Sequence, residues 1–147
     1  DGVDVLSQIE RLKFADMNVA LDLNGVAGST ARIFGAVFGE ASIGKREWVG
    51  IGLRLADDGI SMTDLSRLAL KVVLGAAYTN VQVVNLVYAN LFHSSPDPAT
   101  RAALTGLLDS GAYSVDTLVA FAAASDVNAA NIGLVGVQAH GLEYFPA

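Results

Sequence analysis

The sequence predicts an all-α fold in which two similar three-helix repeats pack as one bundle, preceded by a short β-spacer. The main indication is an internal repeat: ARIFGAVFGE, LADDGIS and SMTDLSRLAL return roughly 53 residues later as VNLVYANLF, LLDSGAYS and SVDTLVAFAA. Within both copies, apolar residues recur at the spacing of amphipathic helices. We therefore divide the chain into a spacer at 1–24, a first repeat at 25–78 and a second repeat with a C-terminal tail at 79–147.

The spacer is predicted to contain two short strands on either side of a turn at residues 15–18. The β-favourable residues are Val3, Val5, Phe14, Val19, Leu21 and Leu23. After Asn24 and Gly25 the pattern changes to a helical period, which indicates the start of the first repeat.

The first repeat is predicted to form three helices. Helix one has Ser29 as its N-cap and an apolar stripe of Ile33, Phe34, Val37 and Phe38. Helix two carries Trp48, Ile51 and Leu55 and ends at Asp57-Asp58-Gly59, with Gly59 in the left-handed conformation. Helix three is capped by Ser61, with an inward face of Leu65, Leu68, Ala69, Val72 and Val73.

The second repeat is predicted to follow the same plan. Its first helix starts near Thr79 and has a stripe of Val84, Val87, Tyr88, Leu91 and Phe92. Asp97 caps the second helix, which has Pro98 at its first position, and Ser114 caps the third. The pattern leaves open whether the tail, which ends in GLEYFPA, is helical or frayed.

Neither set of three helices is predicted to cover its own core, because each helix has one apolar stripe and the connections are short. Packing the two repeats together would bury both sets of stripes. The candidates for this shared core are the large aromatic residues Phe34, Phe38, Tyr88 and Phe92. Gly50 and Gly52 lie inside helix two and predict a close approach of another helix near Trp48.

Composition excludes several classes of protein. The net charge is -6 with only nine basic residues, which argues against sequence-independent nucleic-acid binding. The chain has no Cys, which excludes disulfides, thiolate nucleophiles and Cys-based zinc sites. Its apolar runs are too short for a transmembrane helix. Because the sequence begins with Asp1 and no signal peptide follows, we expect a fragment of a longer protein.

The low content of charged residues, 16%, predicts a neutral surface suited to contact with another domain or another copy. A homo-oligomer is therefore compatible with the sequence.

The polar residues do not form a recognisable catalytic or metal-binding motif. His93 and His140 lie far apart, and neither has a second His three or four residues away. Ser29, Ser61 and Ser114 are interpreted as N-caps, since the chain contains no G-x-S-x-G.

The acidic residues leave a calcium site or a glycosidase pair open as alternatives. These are the adjacent Asp57 and Asp58, and Asp97 with Asp109. Their positions at helix ends favour turns and caps, so we predict no catalytic, cofactor-binding or metal-binding residues.

Two segments resemble known bacterial sequences. DGVDVLSQIERLKFADMNVALDL resembles the β-rich spacer that follows haemolysin-type calcium-binding repeats in secreted, RTX-like proteins. GKREWVGIGLRLADDGIS and LVYANLFHSSPDPATRAALTGLLDSGAYS resemble the tandem helical repeats of the bacterial domain of unknown function 4214. The chain departs from that pattern at His93-Ser94, where a basic residue is common, and at Ala102-Ala103, where an aromatic is expected. The resemblance implies an extracellular setting, type I secretion and a saccharide partner.

We therefore expect a non-enzymatic interaction or anchoring module of a secreted or cell-surface bacterial protein. Its partner would be a surface saccharide or a neighbouring domain of the parent protein. Trp48, Tyr88 and Tyr113 are the candidate ligand-binding residues, because exposed aromatic rings stack on the apolar faces of sugars.

Two alternatives from other classes stay open. One is a hydrolase that uses Asp57, Asp58 and His93 in a cleft. The other is a carrier that holds a small molecule in an apolar cavity between the repeats.

Overall fold

The computed structural model describes residues 9–147, which form a mostly helical fold with one small antiparallel sheet. The predicted fold class is confirmed. In chain order the described elements are β1 (Arg11–Lys13), β2 (Asn18–Ala20), α1 (Val26–Phe38), a 3-10 helix (Glu40–Gly44), α2 (Arg46–Asp57), α3 (Met62–Leu74), α4 (Asn80–Phe92), α5 (Pro98–Asp109), α6 (Val115–Ala124), α7 (Asp126–Asn131), α8 (Leu134–His140) and β3 (Leu142–Tyr144).

The helices α1, α2 and α3 are followed by α4, α5 and α6 with similar lengths and in the same order. A further likeness appears where the helices end. Asn90 of α4 donates from Nδ2 to the carbonyls of Ala36 and Val37 at the end of α1, at 3.0 and 2.9 Å. Asn131 of α7 donates in the same way to the carbonyls of Asn90 and Leu91, the matching positions of α4. Carbonyls in the last turn of a helix lack partners within the helix, so these side chains stabilise the ends of both helices.

The sheet brings together the two ends of the described range. β2 lies in the middle and pairs antiparallel with β1 and with β3, so that Asn18 lies opposite Tyr144 and Ala20 opposite Leu142. The tail is therefore part helix and part strand. The predicted turn is one residue too long, because Asn18 already belongs to β2, while Val3 and Val5 lie outside the described residues.

The predicted N-cap of α1 is wrong. Ser29 lies inside the helix, which starts at Val26 with Gly25 in the N-cap position. The carboxylate of Asp22 accepts a hydrogen bond from the backbone N–H of Ala27 at 3.1 Å and supplies the missing cap from outside the helix. Asp22 also forms an ion pair with Arg11 of β1, which ties the sheet to the start of α1.

The other predicted caps are confirmed. Ser61 accepts from the backbone N–H of Asp64 at 3.0 Å, and Ser114 from that of Thr117 at 3.1 Å. Gly59 and Gly111 adopt φ values of 95° and 74°, the left-handed region in which a side chain is strained.

The cap at Asp97 predicts a pH dependence of stability. Hydrogen bonds from the Thr100 hydroxyl and from the Thr100 and Ala99 backbone N–H groups lower the pKa of Asp97 below its ordinary value of 3.8. The ionised carboxylate therefore stabilises the fold at pH values above the ordinary pKa. This stabilisation is lost as the pH falls through the lowered pKa of the folded state. We expect Asp97→Asn to be less stable than wild type at pH 7 and to approach it in strong acid, in denaturant unfolding at several pH values. A difference that does not change with pH would contradict this.

Two hydrophobic clusters lie on opposite sides of α1. The first joins both repeats and contains residues of α1, α3, α4 and α6, among them Val37, Leu70, Val83 and Val119. The second lies between α1, α2, the sheet and the C-terminal helices, and includes Phe34, Leu53, Ile132 and Tyr144.

The prediction of an aromatic shared core is wrong for the second repeat. Phe34 is buried and Phe38 packs against both clusters. In contrast, Tyr88 is only half-buried and Phe92 is 49% exposed. The reason is that Val83, Val87 and Leu91 are the α4 residues that face α1. Tyr88 and Phe92 lie at the edge of the same apolar stripe and therefore remain outside the core.

The prediction of close approach at the two helix glycines is confirmed for Gly52, where an added Cβ would lie 2.7 Å from Cζ of Phe34 on α1. At Gly50 the neighbour is not a helix. A Cβ there would overlap the carbonyl oxygen of Phe145, just after β3.

Candidate functional site

The first groove, as we call it, is an open apolar channel of about 190 Å³ between α1, α2 and α3. α1 contributes Phe34 and Phe38. The two other walls consist of Trp48, Ile51, Gly52 and Leu55 on α2 and of Leu65, Leu68, Ala69 and Val72 on α3. Every lining residue is apolar apart from the N–H of the Trp48 indole.

The prediction that Leu68, Val72 and Val73 face the core is wrong. Val72 is 67% exposed, and Leu68 and Val73 are exposed as well. Leu65, Ala69 and Leu70 are the α3 residues that fill the first cluster, whereas Leu68 and Val72 on the outer side of the helix form part of the groove wall. The sequence places these residues on one stripe, but packing decides how much of that stripe is covered.

The second groove is an open channel of about 250 Å³ between α4, α5 and α6. Its most exposed members are Phe92 and Phe121, the latter at 62%. Half-buried members include Tyr88, Leu104 and Leu118.

The two grooves occupy equivalent places in the two repeats. When the sequences of corresponding helices are aligned, the pairs that line both grooves are Phe34 with Tyr88, Phe38 with Phe92, Gly52 with Leu104, Leu65 with Leu118, Leu68 with Phe121, Ala69 with Ala122 and Val72 with Ser125. The repeat has therefore kept a groove as well as a set of helices. The main difference lies on the second helix, where Trp48 has Thr100 as its counterpart.

Trp48 lies at the rim of the first groove and is 42% exposed. The edge of its ring packs against Phe38, with ring centroids 5.5 Å apart. The ammonium of Lys45 lies 3.9 Å from the ring centroid in a cation–π contact. A ligand that stacks on this face must displace Lys45.

Tyr88 lines the second groove, and Tyr113 lies beside it. The ring of Tyr88 lies 4.6 Å from that of Phe92. Tyr113 is exposed and packs edge-on against Phe121 at 6.0 Å. The structure thus divides the three predicted ligand-binding residues between two grooves. Phe121 is the residue that sequence reasoning missed, and its alignment with Leu68 was the signal available.

The residues of the hydrolase alternative have separate partners. Asp57 accepts a hydrogen bond from Nη2 of Arg11 at 2.8 Å, and Asp58 follows it at the end of α2. Nε2 of His93, at the end of α4, lies 3.8 Å from a carboxylate oxygen of Glu40. Within residues 9–147, no three His, Asp or Glu side chains are placed to bind one metal ion.

The seam between the repeats carries a third open groove, of about 210 Å³, between α1, α3 and α6. Unlike the other two, it includes the charged residues Arg32 and Asp116. Asp116 forms an ion pair with Arg67 of α3 at 2.5 Å, which raises the pKa of Arg67 and links the repeats across this seam. The space between the repeats is thus polar at its edge.

Within the described part of the chain, no helix has the length and apolarity needed to cross a membrane. Comparison with protein-family models, curated proteins and solved structures gives no match for this chain. The resemblance to the tandem helical repeats and their spacer stays a prediction.

Proposed function

We propose that this chain is a non-enzymatic interaction or anchoring module of a secreted or cell-surface bacterial protein. The observation that carries the proposal is the pair of equivalent apolar grooves, one in each repeat. A partner would be a surface saccharide or a neighbouring domain of the parent protein. The extracellular setting rests on the resemblance of the spacer and the repeats to secreted bacterial proteins.

Exposed apolar side chains support an interaction role because they gain free energy when a partner covers them. Full burial of a large apolar side chain contributes roughly 1.5–3 kcal/mol, so a half-exposed one can still contribute about half of that. Ile51, Val72, Phe92 and Phe121 are all at least 49% exposed and line the two grooves. Contiguous patches of this kind mark interaction surfaces.

The second groove has the chemistry that suits a saccharide better. Phe92 and Phe121 are exposed aromatic residues that line it, Tyr88 lines it beside Phe92, and Tyr113 packs against Phe121, so two phenol groups belong to residues in or beside the groove. Sugars need apolar stacking and hydrogen bonds together. The walls of the first groove offer only the Trp48 indole as a hydrogen-bonding group, which suits an apolar protein surface.

The test is a binding screen of the purified chain against glycans and bacterial cell-envelope fractions, with added calcium in one arm and a chelator in another. We expect a bound glycan or fraction whose affinity falls about tenfold in Phe121→Ser, since this variant removes an exposed ring from the second groove. Val135→Ser is the matched control, because Val135 is 81% exposed and belongs to neither groove. Unchanged binding by Phe121→Ser, or chemical turnover of the bound glycan, would contradict the proposal.

A further inference from the structure

The helices that border the first groove carry the same pattern of charge on their outer surfaces. α2 has Glu47, Ile51 and Arg54, and α3 has Asp64, Leu68 and Lys71, in both cases at a spacing of four and then three residues. Residues at this spacing lie along one line of a helix. Each line therefore runs from an acidic through an apolar to a basic residue, and all six residues are exposed.

This pattern is complementary to itself. When a helix packs antiparallel against its own copy, residues at equal distances on either side of a central residue face each other. Ile51 lies almost midway between Glu47 and Arg54, so such a pairing places Glu47 opposite Arg54 of the second copy. Leu68 lies almost midway between Asp64 and Lys71, with the same result for α3.

A single two-fold axis can serve both helices. α2 and α3 are joined by a short connection around Gly59, and both line the first groove. Ile51 and Leu68 both line that groove and lie at nearly equal distances along the chain from Gly59. An axis that passes close to both residues gives a closed dimer with two identical halves.

On the α2–α3 face, the apolar side chains at the centre are uncovered, and most of the charged side chains at the rim form no ion pair within residues 9–147. Trp48, Ile51 and Val72 are exposed apolar groups around the proposed axis. At the rim, Glu47, Arg54 and Lys71 form no ion pair with any residue of the described range 9–147. Asp64 is the exception, since it lies 3.2 Å from Arg67.

We propose that the α2–α3 face binds the same face of a second copy of this chain about a two-fold axis near Ile51 and Leu68. The apolar groove residues supply the contact area, and the crossed pairs of Glu47 with Arg54 and of Asp64 with Lys71 fix the orientation. This inference rests on the proposed interaction function and assigns the first groove to self-association. The second groove stays free for a different partner.

The test is sedimentation equilibrium of the whole chain over a range of concentrations, with charge-reversal variants. Glu47→Arg places like charges opposite each other twice in the dimer, and we expect about a tenfold weaker association. Arg54→Glu has the same expected effect. The double variant Glu47→Arg/Arg54→Glu restores opposite charges across the axis and is expected to return the association constant to near the wild-type value. Val135→Asp, an exposed site outside both grooves, is the control and should not change it.

A wild-type chain that stays monomeric at all concentrations overturns the inference, as does a double variant no better than its single parents. The experiments distinguish failure of this inference from failure of the proposed function. A monomer that still binds a glycan through Phe121 overturns the dimer alone, whereas a dimer without any other partner contradicts the role of the second groove.

Discussion

Gly50→Ala is expected to lower the free energy of unfolding by about 3 kcal/mol, at the upper end of the usual penalty for overpacking. A methyl group at this position of α2 overlaps the carbonyl oxygen of Phe145. That carbonyl has little freedom, because the backbone N–H of the same residue donates to the carbonyl of Arg46 at 3.1 Å. The end of β3 must therefore move off α2, which opens the second cluster around Tyr144.

Denaturant unfolding of matched variants tests this effect. Gly106→Ala on α5 is the control, because nothing lies within 4 Å of its added Cβ. In a helix interior the change from Gly to Ala alone stabilises by roughly 0.5–1 kcal/mol, so the two substitutions should have opposite signs. Deletion of residues 145–147 should remove most of the penalty of Gly50→Ala. A penalty that persists in the shortened chain would show that the contact with Phe145 is not its cause.

Asn128→Asp is expected to destabilise the fold by about 3 kcal/mol at pH 7, because a buried charge without a compensating partner is costly. Asn128 is 1% exposed, and its Nδ2 donates to the carbonyls of Arg32 on α1 at 2.8 Å and of Ala123 on α6 at 3.0 Å. The replacement keeps the shape of the side chain. It turns both hydrogen bonds into contacts between a carboxylate and a carbonyl oxygen.

The pH dependence of this variant distinguishes charge from loss of packing. Burial raises the pKa of the introduced carboxyl above its unfolded value of about 3.9, so the folded state binds the proton more tightly. The penalty should therefore grow as the pH rises from 4 to 7 in chemical unfolding experiments. Asn24→Asp is the control, since Asn24 is exposed and accepts from Gln138 through an oxygen that a carboxylate retains. A penalty of equal size at both pH values would contradict a role of the charge.

Much of the helical architecture was predictable because its signals are local. Ser61, Asp97 and Ser114 begin helices through contacts with residues two or three positions away, and Gly59 ends one through its own backbone conformation. Ser29 misled the prediction for the opposite reason. The true cap of α1 is Asp22, which reaches the helix across the turn that follows β2.

The candidate site was predictable only in part. Trp48, Tyr88 and Tyr113 were identified and Phe121 was missed. Trp48 and Tyr88 line different grooves, and Tyr113 lies beside the second, against Phe121. Val72 and Phe92 were expected in the core and lie on groove walls. Periodicity identifies the apolar side of a helix, whereas the exposure of its residues depends on how much of that side the neighbouring helices cover.

By itself the sequence determined the helical class, the repeated pattern and the starts of α3 to α6, since all of these follow from spacing and from short-range hydrogen bonds. Only the tertiary structure decided that β3 returns from the C-terminus to β2, that Gly50 accommodates the backbone of Phe145, and that each repeat keeps an open groove. These features depend on groups distant in the chain that meet when α1 is covered on both sides, and no local pattern encodes which apolar faces remain uncovered.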